Sequence, residues 1–599
     1  MRKLSCLISF LLSTLICNAQ TAYDYAGIRM ESLGRGVVAV RQSENKVFVS
    51  WRTLRQDPAG TGFNVYRNGK RINARPVTDV SWYVDEYSGA AAYQVRPVGK
   101  AKRLAAGSCV LPADAPTGYI SIPLNVPEPL TMPDGEIATY SPNDCSVGDV
   151  DGDGEYEIIL KWDPSNARDN AHSGYTGNVY VDCLRMTGQM LWRIDLGRNI
   201  RAGAHYTQFM VYDLDCDGRA EVVMKTSDGT IDGKGNMTGD ASADYRASDG
   251  KLKGRIMTGN EYLTVFDGLT GEAMQTIPYT PSRGDYQTDW GDNYGNRGER
   301  YLAAVAYLDG IRPSVVMCRG YYTRTVLAAY NWDGAQLSPV WVFDTKGHPE
   351  LRQYEGQGNH NLRVCDVDGD GCDEIIYGSC VIDDDGTGLY STGLGHGDSM
   401  HLGHFLPDDG GLQVWIGHEG SKCSTLRDAR TGRILLRIPA NKDVGRSMAA
   451  DIDPTNPGAE FWSSGTGGIL NYKGEKIADA ACSTNFAVWW DGDLSRELLD
   501  KNYVEKYNPD TKRFSRIATF AGASSINGTK STPCLSADIL GDWREEVLLR
   551  SSDDSELRLY ISTVPTRYRK TTLMQNVPYR LSVATENVAY NQPPEPDWQ

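Results

Sequence analysis

The sequence predicts an all-β fold, an eight-bladed β-propeller behind an N-terminal β-sandwich. Three observations predict it. An acidic, glycine-containing loop recurs along the chain and each time runs into a short apolar β stretch. The 599 residues exceed one ordinary core unless that core is a large closed β architecture. Finally, 63 glycines and 33 tyrosines come without long helical periodicity.

The chain opens with Met1-Arg2-Lys3, an apolar stretch from Leu4 to Ile16, and Cys17-Asn18-Ala19-Gln20. This is the pattern of a secretory signal spanning residues 1–19, cleaved after Ala19. It is too short to span a bilayer. The alternative is a lipoprotein acylated at Cys17, but Ile16 stands where such signals carry a small residue. No other apolar run is long enough to cross a membrane, so the mature chain is expected to be exported, periplasmic or extracellular, and monomeric. Loss of Arg2 and Lys3 takes the formal charge from −16 to −18, which argues against nucleic acid as a partner and suits bound cations. The eleven cysteines left after cleavage lack CxxC spacing, so zinc sites and a disulfide framework are both poor expectations, with one or two pairs left open.

Residues 20–115 form the expected sandwich. Val47-Phe-Val49-Ser-Trp51, Phe63-Asn-Val65-Tyr66 and Tyr93-Gln-Val95 alternate apolar and polar, and Asn68-Gly69 marks a hairpin turn. A fibronectin type III module fits this pattern. After the proline-rich stretch Pro112 to Pro133, residues 116–599 carry acidic loops beginning near 149, 213, 309, 366, 404, 451 and 538. Seven markers and a last sheet closed by N- and C-terminal strands suggest eight blades, with six or seven as alternatives. The long intervals Ser227 to Arg255, Pro281 to Arg300 and Lys473 to Lys530 are expected to be loops on one face.

Three copies of the loop are complete: Asp149, Asp151, Asp153, Glu155 and Glu157; Asp213, Asp215, Asp217 and Glu221; Asp366, Asp368, Asp370 and Glu374. Carboxylates at alternate positions, a turn glycine and a later carboxylate form a cage for calcium, a hard ion that takes six to eight oxygens. The spacing is not that of an EF-hand, because Glu157 falls at position 9 and Ile158-Ile159-Leu160 begins a strand. The alternative is that Asp-Gly clusters are simply turns. Most of the calcium ions expected here are structural.

Aligning the repeats on their first acidic residue exposes a second pattern just upstream. Asn143, Thr207, His360, Asp398 and Thr532 stand six residues before it, His205, His396 and Lys530 eight before, and Asp144 and Arg446 five before. Innermost propeller strands line a central channel, so equivalent positions converge on one axis. With eight histidines in the chain, three in this register mark His360 and His396 above all, and His205 less so. His401, His404 and His418 are expected to be neighbours rather than functional groups.

At these residues the sequence resembles the family 11 polysaccharide lyases, the rhamnogalacturonan lyases, through almost the whole mature chain. The segments that carry the likeness are Ser141-Pro-Asn143-Asp144 with the loop after it, Gly356-Gln-Gly-Asn-His360-Asn, Gly395-His396-Gly-Asp398, Gly417-His-Glu419, Lys442-Asp-Val-Gly-Arg446, Gly528-Thr-Lys530 and Val588-Ala-Tyr590-Asn591-Gln-Pro-Pro. The resemblance implies an eight-bladed propeller, several calcium ions and cleavage of rhamnogalacturonan I, a pectic polysaccharide. It also implies that Asn143, Asp144, His360, His396, Asp398, Glu419 and Asn591 surround an active-site calcium region, and that Arg446, Lys530 and Tyr590 contact the sugar acid. The fifth acidic loop departs from the pattern, with His404 where an aspartate is expected.

The residues suit an elimination. Removing the proton from C5 of a galacturonate puts negative charge beside its carboxylate, which a divalent cation and Arg446 would neutralise. Lys530 or a histidine is the candidate base, and Tyr590 the candidate proton donor to the departing O4. Histidine is a poor calcium ligand, so His360 and His396 either act on substrate or indicate a borderline ion such as Mn2+. The short approach from Ile438 to Gly445 favours endo action. Three alternatives stay open: a glycoside hydrolase, which needs a carboxylic pair across the bond; a non-catalytic, calcium-stabilised carbohydrate-binding propeller; and, more remotely, a quinone-dependent dehydrogenase.

Overall fold

The computed structural model describes residues 23–25, 27–407, 411–479 and 482–596. The expected signal segment and Asp408 lie outside the described residues.

Alternation builds the first unit. In Ala91–Pro97 every second residue is buried, as a strand with one covered face requires. A three-stranded sheet (Val38–Ser43, Lys46–Ser50, Trp82–Asp85) and a four-stranded sheet led by Phe63–Arg67 and Ala91–Pro97 share one core of Trp51, Phe63, Val65, Tyr93 and Val95. Asn68 and Gly69, at φ 47° and 78°, turn the hairpin that pairs Arg67 with Lys70. A two-residue turn of this kind needs both residues at positive φ, which Asn-Gly tolerates best.

From Tyr119 on, eight antiparallel sheets of four or more strands follow one another among the described residues, beside a two-stranded ribbon of Leu130–Thr131 and Ile137–Ala138. Seven have four consecutive strands, spanning 140–195, 209–278, 301–344, 363–391, 399–439, 447–478 and 486–519. The eighth joins Tyr119–Pro123 to strands from 523–560. Second strands such as Glu221–Thr226 and Ser314–Arg319 are buried throughout, because neighbouring sheets cover both their faces. The outer strand Ala273–Pro278 alternates between half-buried and exposed residues. Opening strands of consecutive sheets touch from the eighth through the first to the sixth.

A buried glutamate starts the second strand in six sheets: Glu157, Glu221, Glu374, Glu460, Glu497 and Glu546. Each accepts the backbone N–H seven residues before it, at 2.7–3.1 Å, and so clips the acidic loop to its own hairpin. In the fifth sheet Gln413 does the same for Phe405 and Leu406. Only the third sheet starts its second strand with Ser314, and there Asp373 of the next sheet accepts the N–H of Tyr307 at 2.8 Å.

The helix Val577–Ala584, capped by Asn576, packs against the opening strands of the first four sheets. Its fully buried Arg580 pairs with Glu31 at 2.6 Å and donates to the carbonyls of Val147 and Val211. The tail beyond it is bonded to one sheet after another: Glu586 to Ser536, Asn587 to Phe209, Asn591 to Arg446, Pro593 to Arg363, Pro594 to Arg496 and Glu595 to His401.

Two expectations are corrected. Residues 473–530 are not one surface loop, because they contain the whole seventh sheet. Trp489 stands where its loop would carry the first aspartate, which hid the copy Asp491-Gly-Asp493…Glu497. The marker near 538 belongs to the closing sheet itself, so the eighth unit comes from this hidden copy. Among the described residues no disulfide bond is formed.

Breaking a buried ion pair leaves an uncompensated charge, so Arg580→Met should lower the unfolding free energy by about 3–5 kcal/mol. The double variant with Glu31→Gln should recover much of that loss. Denaturant titration measures both.

Candidate active site

Each opening strand has its acidic loop at one end. At the other end stand the residues singled out by register. Asp398 and Arg446 immediately precede Ser399–Gly403 and Ser447–Ala450, while His205, His360 and Lys530 lie three to five residues ahead of theirs. Five sheets and the C-terminal tail thus supply one cluster.

At its centre the His360 Nε2 lies 3.3 Å from Asp398 Oδ1, and His396 Nε2 lies 3.8 Å from Asp398 and 3.9 Å from Glu419. His396 Nδ1 donates to the carbonyl of Gly358 at 2.6 Å, which leaves the buried Nε2 as a lone-pair donor without a hydrogen-bond partner. A backbone bond to one ring nitrogen is the usual way a ligating imidazole is oriented. His360, His396 and Asp398 offer donor atoms within 4.8 Å of one another, a spread that fits a single cation. Half-exposed Glu419 adds a carboxylate whose pKa burial raises.

Tyr590 covers this group from the tail, with its ring 4.3 Å from His360, and Lys530 Nζ lies 3.8 Å above the Tyr590 ring. Burial, then Arg446, lowers the Lys530 pKa against the pull of Asp398. Burial pushes the Tyr590 hydroxyl up to about 12, so it keeps its proton at neutral pH. The Arg446 guanidinium donates to the carbonyl of Asn485 at 2.9 Å through Nη2, while Nε and Nη1 have no partner. Asn591 accepts from Asn527 at 2.7 Å. Among the described residues Asn143 and Asp144 form no hydrogen bond or ion pair with His360, His396 or Asp398: Asn143 accepts the N–H of Asp144, and Asp144 is buried in an ion pair with Lys161.

Four residues at the site escaped the register. The Tyr321 hydroxyl bridges His360 Nδ1 at 2.9 Å and His205 Nδ1 at 3.3 Å, Tyr322 reaches His360 Nε2 at 3.3 Å, and Arg300 reaches the Tyr321 hydroxyl at 3.4 Å. Asp169 lies 3.7 Å from Arg300 and 3.8 Å from His205. Arg300 directly precedes the strand Tyr301–Ala306, as Arg446 precedes its own, and alignment on that strand rather than on Asp309 would have found it. Tyr321 and Tyr322 follow a second strand, where the repeat gives no signal.

The acidic loops lie at the opposite ends of the strands. Asp213, Asp215 and Glu221 gather their oxygens within 4.8 Å, as do Asp366, Asp368 and Glu374, and Asp149, Asp151 and Glu157. Burial first, then nearby carboxylates, pushes Asp213 up to about 8 and Glu374 up to about 8. Asp213 Oδ1 and Glu374 Oε1 are buried without a partner, so both loops fit a cation. Asp217 and Asp370 cap the next turn of their loops by accepting the N–H groups of Arg219 and Cys372. Asp153 does likewise for Glu155, whose own carboxylate is bonded to the N–H of Gly36 in the sandwich.

Comparison with known proteins decides the relationship. Residues 119–599 match the family model "Rhamnogalacturonan lyase family 11, C-terminal domain", and residues 28–111 match "Rhamnogalacturonan I lyases beta-sheet domain". The chain belongs to rhamnogalacturonan lyase family 11. It is therefore a polysaccharide lyase. The rhamnogalacturonan endolyase YesW of Bacillus subtilis (strain 168) is 50% identical over 592 residues, covering 98% of this chain and 93% of that protein. The exolyase YesX of the same organism is 53% identical over 588 residues, covering 94% of each. Among solved structures, YesW superposes with a TM-score of 0.91 at 52% identity, covering 95% of this chain and 97% of that one. A Bacillus licheniformis rhamnogalacturonan lyase superposes equally well at 54% identity, covering 96% and 97%.

Two further histidines of this family 11 lyase are buried in hydrogen bonds. His418 is a buried neighbour, bonded to Ser379 and Thr425, and burial lowers its pKa to about 3. His401 is held between Glu595 and the carbonyl of Ser447. Because the folded pKa of His418 lies below the ordinary value of 6.5, its contribution to stability is present above pH 6.5 and is lost as pH falls. One such group should cost about 3 kcal/mol between pH 6.5 and 4. His418→Gln should flatten the acid limb of a plot of stability against pH.

Proposed function

We propose that this enzyme cleaves the bond between rhamnose and O4 of galacturonate in rhamnogalacturonan I by β-elimination, leaving a 4,5-unsaturated galacturonate end. The observation that carries the reading is the convergence of Arg446, Lys530 and Tyr590 on the group formed by His360, His396 and Asp398. Arg446 binds the galacturonate carboxylate through its two spare nitrogens, Nε and Nη1. Lys530, neutral more readily than an ordinary lysine, takes the C5 proton. As the C4–O4 bond breaks and the C4–C5 double bond forms, Tyr590 gives its proton to O4, and its contact with Lys530 lets the two exchange a proton afterwards. No water is consumed.

His360 suits the base role less well than Lys530, because its Nε2 faces Asp398 within the candidate cation group. His360, His396, Asp398 and Glu419 would hold a divalent cation, which supplies neutralisation of the galacturonate carboxylate. Their mixed nitrogen and oxygen donors keep Mn2+ beside Ca2+ as the ion. The loops of Asp213, Asp215 and Glu221 and of Asp366, Asp368 and Glu374 take structural Ca2+.

The same proposal covers the setting. The eight sheets are the blades of a propeller occupying residues 116–599, with a fibronectin-III-like sandwich over 20–115. The protein is exported by its leader and acts as a monomer. The short segment between Pro439 and Arg446 supports endo action.

Lys530→Ala should lower turnover by about 10²–10⁴-fold, as should Lys530→Arg, which cannot deprotonate. The base form of Lys530 grows as pH rises through its lowered pKa, so the rate should rise with pH on the acid side. Formation of the unsaturated product, followed by ultraviolet absorbance, reports both; near-normal rates in the two variants would remove Lys530 from the role. Mass analysis separates elimination from hydrolysis, whose paired products together weigh one water more, and internal from terminal cleavage. His396→Ala and Asp398→Asn should each lose one bound divalent cation by calorimetric titration, whatever their activity.

A further inference from the structure

The acidic loops of the first, second, fourth and seventh sheets share one backbone. Counting back from the glutamate that opens the second strand, each has aspartates at six and four residues: Asp151 and Asp153, Asp215 and Asp217, Asp368 and Asp370, Asp491 and Asp493. In all four the first of these accepts the N–H of the second, at 3.0–3.3 Å. The second accepts the N–H two residues further on, at 2.8–2.9 Å.

What differs is the residue beside that glutamate on the third strand. Register places Arg185 beside Glu157, Asp267 beside Glu221, Asp383 beside Glu374 and Lys506 beside Glu497. The Lys506 ammonium bonds Glu497 and lies 2.8 Å from Asp493 and 3.2 Å from Asp491. Arg185 lies 2.6 Å from Asp151 and 3.3 Å from Glu157. In the second and fourth loops no ion pair is formed among the described residues, and the buried oxygens Asp213 Oδ1 and Glu374 Oε1 have no partner. Asp213 is 3% exposed and Glu374 0%. Asp383 and Asp384 bring further carboxylate oxygens within 4.8 Å of Glu374.

We propose that this third-strand residue decides which loops need a divalent cation: Lys506 and Arg185 stand in the seventh and first loops for the ion that the second and fourth recruit. The inference rests on the cation reading of the second and fourth loops. An ammonium held by three carboxylates offers three donors to three acceptors, as a small ion would. Burial works against its charge, but Glu497, Asp493 and Asp491 outweigh that and raise its pKa. A divalent ion in the same cage would sit within a few ångströms of the ammonium, where like charges repel strongly. A third-strand aspartate reverses the sign and adds to the demand for a cation.

The test is the calcium content of the full-length enzyme equilibrated with calcium and passed through a desalting column. Lys506→Met and Arg185→Met should each bind one more calcium per chain than the wild type, and calcium should raise their melting temperatures more than that of the wild type. Glu374→Gln should bind one fewer. If Glu374→Gln loses an ion while either methionine variant keeps the wild-type count, the inference is overturned. If Glu374→Gln also keeps the wild-type count, the cation reading beneath it fails and takes the inference with it. Should a variant not fold, anomalous diffraction from the wild type soaked in manganese decides: an ion between Asp491 and Asp493 with Lys506 displaced overturns the inference, and manganese at Glu374 with none at Asp491 supports it.

Discussion

The glutamate at the start of the second strand is the constraint on which the sheets depend. One of its oxygens is spent on the N–H that closes the acidic loop, and the carboxylate is buried by the neighbouring sheets. A buried carboxylate with an unsatisfied oxygen is costly, so every copy must answer the second oxygen somehow. Arg185 and Lys506 answer it from the third strand. Gln413 avoids the question by carrying no charge, in the sheet where His404 has displaced the first aspartate. The acidic loops are thus variants of one hairpin closure that differ in where the compensating charge comes from.

The C-terminal tail turns a row of sheets into a site. Opening strands can present polar residues at one end, yet those residues act together only if the strands are held at fixed spacing. Arg580 and Glu31 anchor the helix among the first four sheets, and the tail then bonds the eighth, second, sixth, fourth, seventh and fifth. The same tail delivers Tyr590 and Asn591 to the cluster. The segment that ties the sheets together thus also carries site residues.

Much of this was legible because the repeat has a fixed phase. His360, Arg446 and Lys530 were found by counting back from an aspartate, and His396 and Asp398 by counting back from His404 in its place; the structure brings all five to the same ends of their strands. The count failed where the phase marker failed. Tyr307-Leu-Asp309 places its aspartate three residues late, so Arg300 was missed. Trp489 replaces an aspartate outright, and a whole sheet was read as a loop. Tyr321, Tyr322 and Asp169 lie off the opening strands, where no periodic signal reaches. The third-strand residues were invisible for a different reason: Arg185 and Lys506 are ordinary surface charges in sequence, and only strand register places them against Glu157 and Glu497.

The two ends of the strands set different chemical demands on a cation. The loops of the second and fourth sheets offer oxygen alone, from carboxylates held by short local turns, which suits a hard ion with flexible coordination. The other end offers two imidazoles with Asp398 and Glu419, brought from two separate sheets, and one imidazole is already oriented by a backbone carbonyl. Donors from one hairpin can form as soon as that hairpin closes, whereas donors from different sheets converge only when the whole array is assembled. An ion in an acidic loop would therefore stabilise a sheet, and an ion at the histidines would depend on the finished fold. Each group can be altered without touching the other, since the opening strand separates them along its full length.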